Sequence, residues 1–261
     1  MGDESENIYT RQELERGGAT MTKVEQLQRI ISSSDNIVFF GGAGVSTESG
    51  IPDFRSVDGL YNQQYKYPPE TMLSHTFYAE HTAEFFEFYR KKMIIPEAKP
   101  NKAHYKLAEL EKEGKLKAVV TQNIDGLHQM AGSNNVLELH GSVKRNYCVR
   151  CRKFYDDMFI LNSNGIPTCS CGGVIKPDVV LYEEGLDKDT MQQTVHYISR
   201  ADVLIVGGTS LVVYPAAGMI DYFRGSSLVL INRATTAADR KAQLLIQDSI
   251  GEVLGQISAI L

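Results

Sequence analysis

The sequence predicts an α/β fold in which a mainly parallel, doubly wound sheet carries a smaller inserted domain. Apolar runs without alternation, such as residues 36–40 and 202–206, are typical of strands that are buried on both faces. Segments with helical apolar periodicity separate these runs, and both runs lead into glycine-rich turns. Because alternating strands and helices favour a parallel sheet, we expect a Rossmann-like core.

The predicted elements alternate along the chain. Leu27 and Ile31 share one face of a helix over residues 22–34. Asn101 is a typical N-cap for a helix that closes at Gly114, because its side chain can accept a backbone hydrogen bond. Further strands are predicted at residues 118–122, 136–140, 179–182 and 228–231, and further helices at 74–78, 83–92, 188–199, 215–225 and from 249 onward.

The composition restricts the class of protein. The 261 residues carry a net charge of −5 and are 43% hydrophobic, which is an ordinary globular composition. An acidic chain lacks the basic footprint of a nucleic-acid-binding protein, so we do not expect a nucleic-acid partner. No apolar run approaches the roughly 20 residues of a membrane span. Residues 1–20 are charged and lack the apolar core of a signal peptide, so we expect a disordered extension and a cytoplasmic protein.

The first glycine-rich turn indicates a phosphate-binding loop. The strand at 36–40 leads into Gly42-Ala43-Gly44, and glycines let the backbone approach a pyrophosphate closely. The third glycine of the dinucleotide fingerprint is replaced, so the turn alone is equally compatible with an ordinary tight turn. Pro52 interferes with the helix that a dehydrogenase would place next, and no clear strand follows it. The pattern therefore argues against hydride transfer.

Polar residues follow several of the predicted strands. They lie at residues 42–47, 122–125 and 209–210 and at Asn232. Ligands of open α/β sheets bind beyond the carboxyl ends of the strands, and all four clusters belong to that edge. Each cluster alone would be an ordinary loop. Together they predict a site for a large ligand of several parts.

All four cysteines lie in one segment, as Cys-x-x-Cys, seventeen residues and Cys-x-Cys. They are Cys148, Cys151, Cys169 and Cys171. Two close pairs of thiolates can complete a tetrahedral zinc site, and in a reducing compartment such clustering favours metal over disulfides. Four sulfur ligands leave no open position for water, so this zinc would be structural. Four reduced buried cysteines are the alternative.

Two longer blocks resemble a known family. Residues 42–56, GAGVSTESGIPDFRS, are similar to the signature that opens the sirtuin catalytic domain, and residues 121–128, TQNIDGLH, to its second block. Residues 139–141 and 176–180 match in the same order. The resemblance is to bacterial-type sirtuins and covers residues 22–261. Two blocks of this length in order are far more specific than a single glycine motif.

The resemblance implies an NAD-dependent protein-lysine deacetylase. Such an enzyme cleaves nicotinamide from NAD and transfers the acetyl group to ADP-ribose, releasing free lysine, nicotinamide and O-acetyl-ADP-ribose. Acetylated proteins or peptides are the implied partners, NAD is the co-substrate and zinc is the structural metal. Tyr89 and Lys92 stand where members that prefer succinyl or malonyl groups carry Tyr-x-x-Arg. Lysine lacks the bidentate fork that suits a carboxylate, which favours acetyl-lysine.

Two alternatives remain open at this point. A protein ADP-ribosyltransferase would use the same cleavage of nicotinamide, but it would leave the ADP-ribose on its target protein. A non-catalytic NAD-sensing module would bind NAD without releasing nicotinamide. The presence of His140 together with residues 122–125 argues against the second alternative.

The resemblance also implies the site residues. His140 would be the general base, because a histidine with a pKa of about 6.5 can take the proton of a ribose hydroxyl. Asn123 and Asp125 would be the other catalytic residues, and residues 179–184 would pair with the substrate backbone. The implied cofactor contacts are Ala43, Thr47, Phe54, Arg55, Gln122, Asn123, Ile124, Asp125, His140, Thr209, Ser210, Asn232 and Ile250.

The same order of motifs suggests two domains. Residues 21–55, 101–146 and 178–261 would form a discontinuous Rossmann-like, NAD-binding domain. Residues 56–100 and 147–177 would form a small domain that combines a helical segment with the zinc module. NAD and the peptide would bind in the cleft between the two.

Overall fold

The computed structural model describes residues 21–56 and 59–258, so the expected disordered extension at residues 1–20 lies outside the described residues. Its strands are β1 (Ile37–Gly41), β2 (Leu116–Thr121), β3 (Val136–Glu138), β4 (Gly141–Cys148), β5 (Phe154–Tyr155), β6 (Ile175–Val179), β7 (Val203–Gly207), β8 (Ser227–Ile231) and β9 (Leu244–Ile246). Its α-helices are α1 (Lys23–Ser32), α2 (Pro69–Met72), α3 (His75–Glu80), α4 (Thr82–Lys92), α5 (Lys102–Lys112), α6 (Leu127–Met130), α7 (Asp157–Asn162), α8 (Lys188–Arg200) and α9 (Ile250–Leu254).

Six strands form one parallel sheet in the order β3-β2-β1-β7-β8-β9. The chain proceeds outward from β1 to β3, then returns beside β1 and proceeds outward again from β7 to β9. This is the doubly wound topology that the sequence predicted. Its switch point lies between β1 and β7, where open α/β sheets bind their ligands.

Helices cover both faces of the large sheet. Phe39 and Ile205 point to the face on which α1, α5 and α9 pack. Phe40 and Val206 point to the opposite face, which α8 covers. Every residue of β1 and β7 is buried, which explains why these strands appear in the sequence as unbroken apolar runs.

A second sheet has three antiparallel strands in the order β5-β4-β6. Helix α4 contributes Phe85 and Phe86 to the core that this sheet shares with buried Cys148 and Cys169. This aromatic helix therefore belongs to the same packing unit as the cysteine segment. The described residues contain no helix with both the length and the apolar character of a membrane span.

The strand predicted at 179–182 is wrong. The strand is β6, which ends at Val179 and belongs to the small sheet. Buried and more exposed residues alternate along β6, so its polar positions interrupt the apolar run on which the prediction relied. Beyond it the amide of Val180 donates to His140. Tyr182 forms an isolated bridge with Ser74, in which its amide donates to Leu73 and its carbonyl oxygen accepts from His75.

Several further elements differ from the prediction. The helix expected at 215–225 is a 3-10 helix over Ala216–Tyr222, and the elements that were not predicted are β4, β5, β9, α2, α6 and α7. Only three residues form β9, too few for a periodic signal. The N-cap of α5 is as predicted: Asn101 accepts a hydrogen bond from the amide of Ala103.

Candidate functional site

The glycine turns after β1 and β7 lie against each other at the switch point. The amide of Gly44 donates to the carbonyl oxygen of Gly208 at 2.7 Å. A Cβ atom on Gly44 would lie 2.8 Å from the Cα of Gly208, which itself has φ +59°. Packing of one turn on the other therefore requires glycine at both positions.

Two 3-10 turns, Ala43–Val45 and Thr47–Ser49, follow β1 in place of a helix. The Thr47 hydroxyl donates to the carbonyl oxygen of Gly44 at 3.0 Å. Glu48 accepts a hydrogen bond at 2.7 Å from the amide of Gly251, in the first turn of α9. These contacts hold the loop that carries Ala43 and Thr47 in a fixed position above the sheet.

A chain of hydrogen bonds joins the first loop to the loop after β2. The side-chain amide of Asn123 donates to the Ser46 hydroxyl at 3.0 Å, and that hydroxyl donates to the Asp125 carboxylate at 2.7 Å. The amide of Leu127 donates to the other carboxylate oxygen of Asp125 at 2.9 Å. Asp125 is therefore fixed in place, with both oxygens accepting hydrogen bonds.

The environment of Asp125 has opposing effects on its pKa. Burial raises the pKa of this carboxyl, and the hydrogen bonds from Leu127 and Ser46 offset part of the increase. The outcome is a pKa above the ordinary value for an aspartate. A carboxylate in a desolvated position interacts strongly with any polar group that enters the site.

His140 follows β3 and is bonded to the loop that precedes Asp125. Its Nδ1 lies 2.9 Å from the carbonyl oxygen of Gln122, which can only accept, so Nδ1 carries the proton. Nε2 of the neutral ring then keeps its lone pair. Burial lowers the pKa of His140, and the hydrogen bond to Gln122 offsets part of that shift. The imidazole is therefore neutral and competent as a base at neutral pH.

The backbone after His140 is equally constrained. Gly141 has φ +75°, and a Cβ at this position would overlap the carbonyl group of Asp178 on β6. The amide of Val180 donates to the carbonyl oxygen of His140 at 3.0 Å. His140 thus stands where the large sheet gives way to the small one, beside the segment that follows β6.

The other predicted cofactor contacts are spread along the same edge. The side-chain amide of Gln122 donates to the Thr209 hydroxyl at 3.0 Å, while Ser210 is exposed. Asn232 follows β8, and Ile250 begins α9 with only 2% of its surface exposed. The Ile250 side chain belongs to the core, so a contact with a ligand would use its backbone.

Phe54, Arg55 and Ile124 lie on the side of the small sheet. Phe54 and Ile124 are partly buried against its core, whereas Arg55 is exposed. The Asp53 carboxylate accepts hydrogen bonds from the amides of Arg55 and Ser56 at 3.0 and 2.7 Å. The structure thus connects the loops after β1, β2 and β7 with His140, and places Asn232 and Ile250 farther along the edge.

The four cysteines converge as the sequence predicted. Their Sγ atoms all lie within 4.8 Å of one another, with Cys148 and Cys171 at 3.4 Å and Cys151 and Cys169 at 3.6 Å. Tetrahedral zinc with Zn–S bonds of about 2.3 Å would need sulfur atoms about 3.8 Å apart. The cluster therefore fits a structural zinc ion, which these four thiolates would hold.

Two residues that support the site have no local signature in the sequence. Asn101, identified only as a helix cap, also donates through its side chain to Val45 at 2.8 Å and to Ser49 at 2.9 Å. Ser46 lies within the block at residues 42–56, which predicts no role for it. Both residues act across long stretches of chain, and no local pattern reports such contacts.

Two buried histidines pack together beneath the loops. The rings of His104 and His128 are 4.7 Å apart between centroids, and Nδ1 of His104 accepts a hydrogen bond from the amide of Asn101. Burial lowers the pKa of His104 to about 4. It lowers the pKa of His128 to about 3, and the neighbouring His104 adds to that shift. Both rings are therefore neutral in the folded protein at neutral pH.

We expect this pair to weaken the protein in acid. Folding must release the protons that both histidines bind below about pH 6.5 in the unfolded chain, so their contribution is complete above that pH and is lost as the pH falls toward 4. The unfolding free energy should fall by about 1 to 3 kcal/mol per pH unit in this range. Urea unfolding at a series of pH values measures the slope.

His128→Leu is the informative variant, because it removes one titrating group and fills the buried position with an apolar side chain. The slope of its unfolding free energy against pH should be smaller than that of the wild type, by the equivalent of about one bound proton. The matched control is His196→Gln, which changes an exposed histidine on α8 and should leave the slope unchanged. Equal slopes for His128→Leu and the wild type would disprove this explanation.

Residues 42–215 match the family described as the Sir2 family. The chain belongs to the Sir2 family. The NAD-dependent protein deacetylase of Clostridium perfringens is 63% identical to this Sir2-family protein over 239 residues, which are 90% of this chain and 98% of the relative. That of Clostridium acetobutylicum is 63% identical over 238 residues, with 90% of this chain and 97% of the relative covered.

Solved structures of the family agree with the fold. A Sir2 structure described with a deacetylated p53 peptide and 3′-O-acetyl ADP-ribose is 40% identical, has a TM-score of 0.82 and covers 89% of this chain and 96% of that one. A structure described as Sir2, p53 peptide and NAD+ is 40% identical with a TM-score of 0.78 and the same coverage. The bacterial-type sirtuin resemblance and the predicted fold class are thereby confirmed.

Proposed function

We propose that this Sir2-family protein is an NAD-dependent protein-lysine deacetylase. The observation that carries the proposal is the position of His140. Its Nδ1 donates to the carbonyl oxygen of Gln122, on the loop that also carries Asn123 and Asp125, so that Nε2 is left as a base. The curated relatives at 63% identity are named NAD-dependent protein deacetylases, which supports the same activity.

The proposed roles follow from the hydrogen bonds. Bound NAD supplies a nicotinamide leaving group and a ribose that accepts the acetyl group. Asp125, held by Ser46 and Leu127, would orient the nicotinamide amide, and Asn123 would line the pocket for the nicotinamide ribose. His140 would accept the proton of a ribose hydroxyl. Thr209, which already binds Gln122, would contact the phosphates or a ribose.

The remaining contacts line the same edge in this proposal. The backbone around Ala43 and Thr47 would hold the dinucleotide phosphates, and Phe54 with Arg55 would cover the ribose beside the nicotinamide. Ile124 would shape the nicotinamide pocket. The contacts proposed for the outer strands are Ser210, Asn232 and the backbone of Ile250.

Acetyl-lysine is the substrate that the environment of Tyr89 and Lys92 on α4 favours. Tyr89 is fully buried against Phe85, and Lys92 donates to Gln63 at 2.9 Å. Tyr89 is therefore closed to an acyl carboxylate, and Lys92 offers a single ammonium charge in place of the bidentate fork of arginine. This supports a neutral acetyl group over succinyl or malonyl groups.

The deciding experiment combines the protein with NAD and a panel of acylated lysine peptides. We expect nicotinamide release together with the loss of one acetyl mass from the acetylated peptide. A gain of ADP-ribose mass on a protein target would indicate ADP-ribosyl transfer instead. NAD binding without nicotinamide release would indicate a sensing module and would overturn the proposal.

Two finer points belong to the same proposal. We propose that residues 56–100 and 147–177 form the small domain, and that residues 21–55, 101–146 and 178–261 form the NAD-binding domain. We also propose a cytoplasmic location, because four thiolates that hold zinc persist in a reducing compartment. Fractionation of the native cells, with the protein followed by antibody, tests the location.

A further inference from the structure

Tyr61 and Tyr182 join two sides of the proposed site. Their phenol oxygens are 2.5 Å apart, although 121 residues separate them in the chain. Tyr61 lies in the 3-10 turn Leu60–Asn62, and Tyr182 follows β6. One hydroxyl donates and the other accepts, so replacing either residue with phenylalanine would remove the hydrogen bond.

Tyr61 is bound to the segment that carries Phe54 and Arg55. Its ring stands edge-on to the Phe54 ring, with 5.6 Å between centroids, and the Arg55 guanidinium lies 5.3 Å above the Tyr61 ring. The amide of Tyr61 donates to the carbonyl oxygen of Phe54 at 2.9 Å. Tyr61 therefore moves together with two residues that are proposed to cover the dinucleotide.

Tyr182 is held by a rigid turn on the other side. Its amide donates to Leu73 and its carbonyl oxygen accepts from His75, both at 3.0 Å. The next residue, Glu183, has φ +76°, and its carboxylate accepts hydrogen bonds from the amide and the hydroxyl of Thr76 at 2.9 and 2.7 Å. A non-glycine residue keeps such a φ only where its surroundings enforce it.

The Tyr61 hydroxyl keeps its proton across the working pH range. Burial raises the pKa of the Tyr61 phenol well above its ordinary value, and the hydrogen bond to Tyr182 raises it further. The Tyr61 phenol therefore remains a neutral hydroxyl near neutral pH. The Tyr182 side chain is 38% exposed, which leaves room for a peptide to pack beside it.

We propose that the Tyr182 hydroxyl is a positioning group that couples the binding of acetyl-lysine peptide to the binding of the dinucleotide, through Tyr61. The coupling rests on the proposed function, in which residues 179–184 receive the peptide backbone. A peptide beside Tyr182 limits the movement of that side chain. The hydrogen bond to Tyr61 then limits the movement of Phe54 and Arg55, which pack against Tyr61. By linkage, each ligand raises the affinity for the other by the same factor.

Titration with ADP-ribose, with and without acetylated peptide, measures the coupling without turnover. In the wild type we expect the peptide to tighten ADP-ribose binding by roughly 2- to 10-fold, which corresponds to one neutral hydrogen bond. We expect the same loss of coupling in Tyr61→Phe, in Tyr182→Phe and in the double variant, because each of them removes the one hydrogen bond between the two hydroxyls. The control is Tyr105→Phe, which changes an exposed tyrosine on α5 and should keep the coupling.

Two results would overturn the coupling role. If the peptide still tightens ADP-ribose binding in Tyr182→Phe, the coupling does not depend on the Tyr182 hydroxyl. If the losses of coupling in the two single variants add up in the double variant, the two hydroxyls act separately. Wild-type nicotinamide release is measured in parallel. Its absence rejects the proposed function, whereas release together with persistent coupling in Tyr182→Phe rejects the positioning role alone.

Hydrogen exchange in the wild type provides a measurement that does not depend on the stability of a variant. The amides of Leu60 and Tyr61 donate to Asp53 and Phe54, and they report how firmly the segment is held. Acetylated peptide is expected to slow their exchange by about 3-fold or more. Unchanged exchange at these two amides in the presence of peptide would contradict the coupling.

Discussion

Replacing His140 with alanine is expected to lower the deacetylation rate by about 10²- to 10⁴-fold, the range usual for loss of a general base. The imidazole is positioned by the Gln122 carbonyl oxygen, which holds the proton on Nδ1 and leaves Nε2 to take one from the ribose. ADP-ribose binding should be retained, because the loops after β1, β2 and β7 hold one another without His140.

The pH profile gives this prediction a second measurement. Burial lowers the pKa of His140, so the base is deprotonated and active above a pKa that lies below the ordinary value of about 6.5. The acidic limb of kcat/KM in the wild type should therefore lie below pH 6.5, and the residual activity of His140→Ala should lack that limb.

The control for this variant is His196→Ala, which changes an exposed histidine on α8 and should keep wild-type kinetics. Rates are compared at saturating NAD and acetylated peptide, and ADP-ribose binding is measured by titration. Full activity in His140→Ala would reject its role as the base. Loss of ADP-ribose binding would mean that the residue holds the dinucleotide instead.

The sequence was sufficient for the central strands of the parallel sheet, because strands buried on both faces appear as unbroken apolar runs. Residues 37–40 and 203–206 are apolar at every position, and both proved to be central strands. The antiparallel strand β6 has no such run. Its buried residues alternate with Lys176 and Asp178, so the apolar run that begins at Val179 was mistaken for the strand.

The candidate site was predictable where chemistry follows directly on a strand. His140 and residues 122–125 come immediately after β3 and β2, so the fold class alone brings them to one edge. The contact between Ser46 and Asp125 spans 79 residues, and that between Asn101 and Val45 spans 56. Such contacts depend on the paths of irregular loops, which leave no periodic pattern in the sequence.

Removal of the metal is expected to unfold the small sheet and leave the large sheet in place. Cys148 ends β4, and it is buried together with Cys169 in the core that includes Ile175 of β6. Without zinc, four thiol groups that lie within 4.8 Å of one another lose the ion that joins them. Because structural zinc contributes several kcal/mol or more, the melting temperature should fall by roughly 10 °C.

Cys148→Ser and treatment with a chelator should have the same effect, with about one zinc released per chain. Hydrogen exchange should become fast in β4 and β6 and stay slow in β1 and β7, where every residue is buried. The control is Ser170→Ala, which changes an exposed neighbour of Cys169 and Cys171 and keeps all four sulfur atoms. An unchanged melting curve in metal-free protein would show that the cluster does not stabilise the fold through a metal.

Activity should fall together with the small sheet, although the zinc takes no part in the reaction. Strand β4 runs from Gly141, directly after His140, to Cys148, and Val180 after β6 donates to the His140 carbonyl oxygen. Loss of the metal therefore disturbs the general base through the backbone. Cobalt or cadmium should restore the melting temperature and a kcat equal to that of the zinc-loaded protein, since a structural site needs only tetrahedral thiolate coordination. A kcat that depended on the identity of the metal would instead indicate a zinc that acts on the substrate.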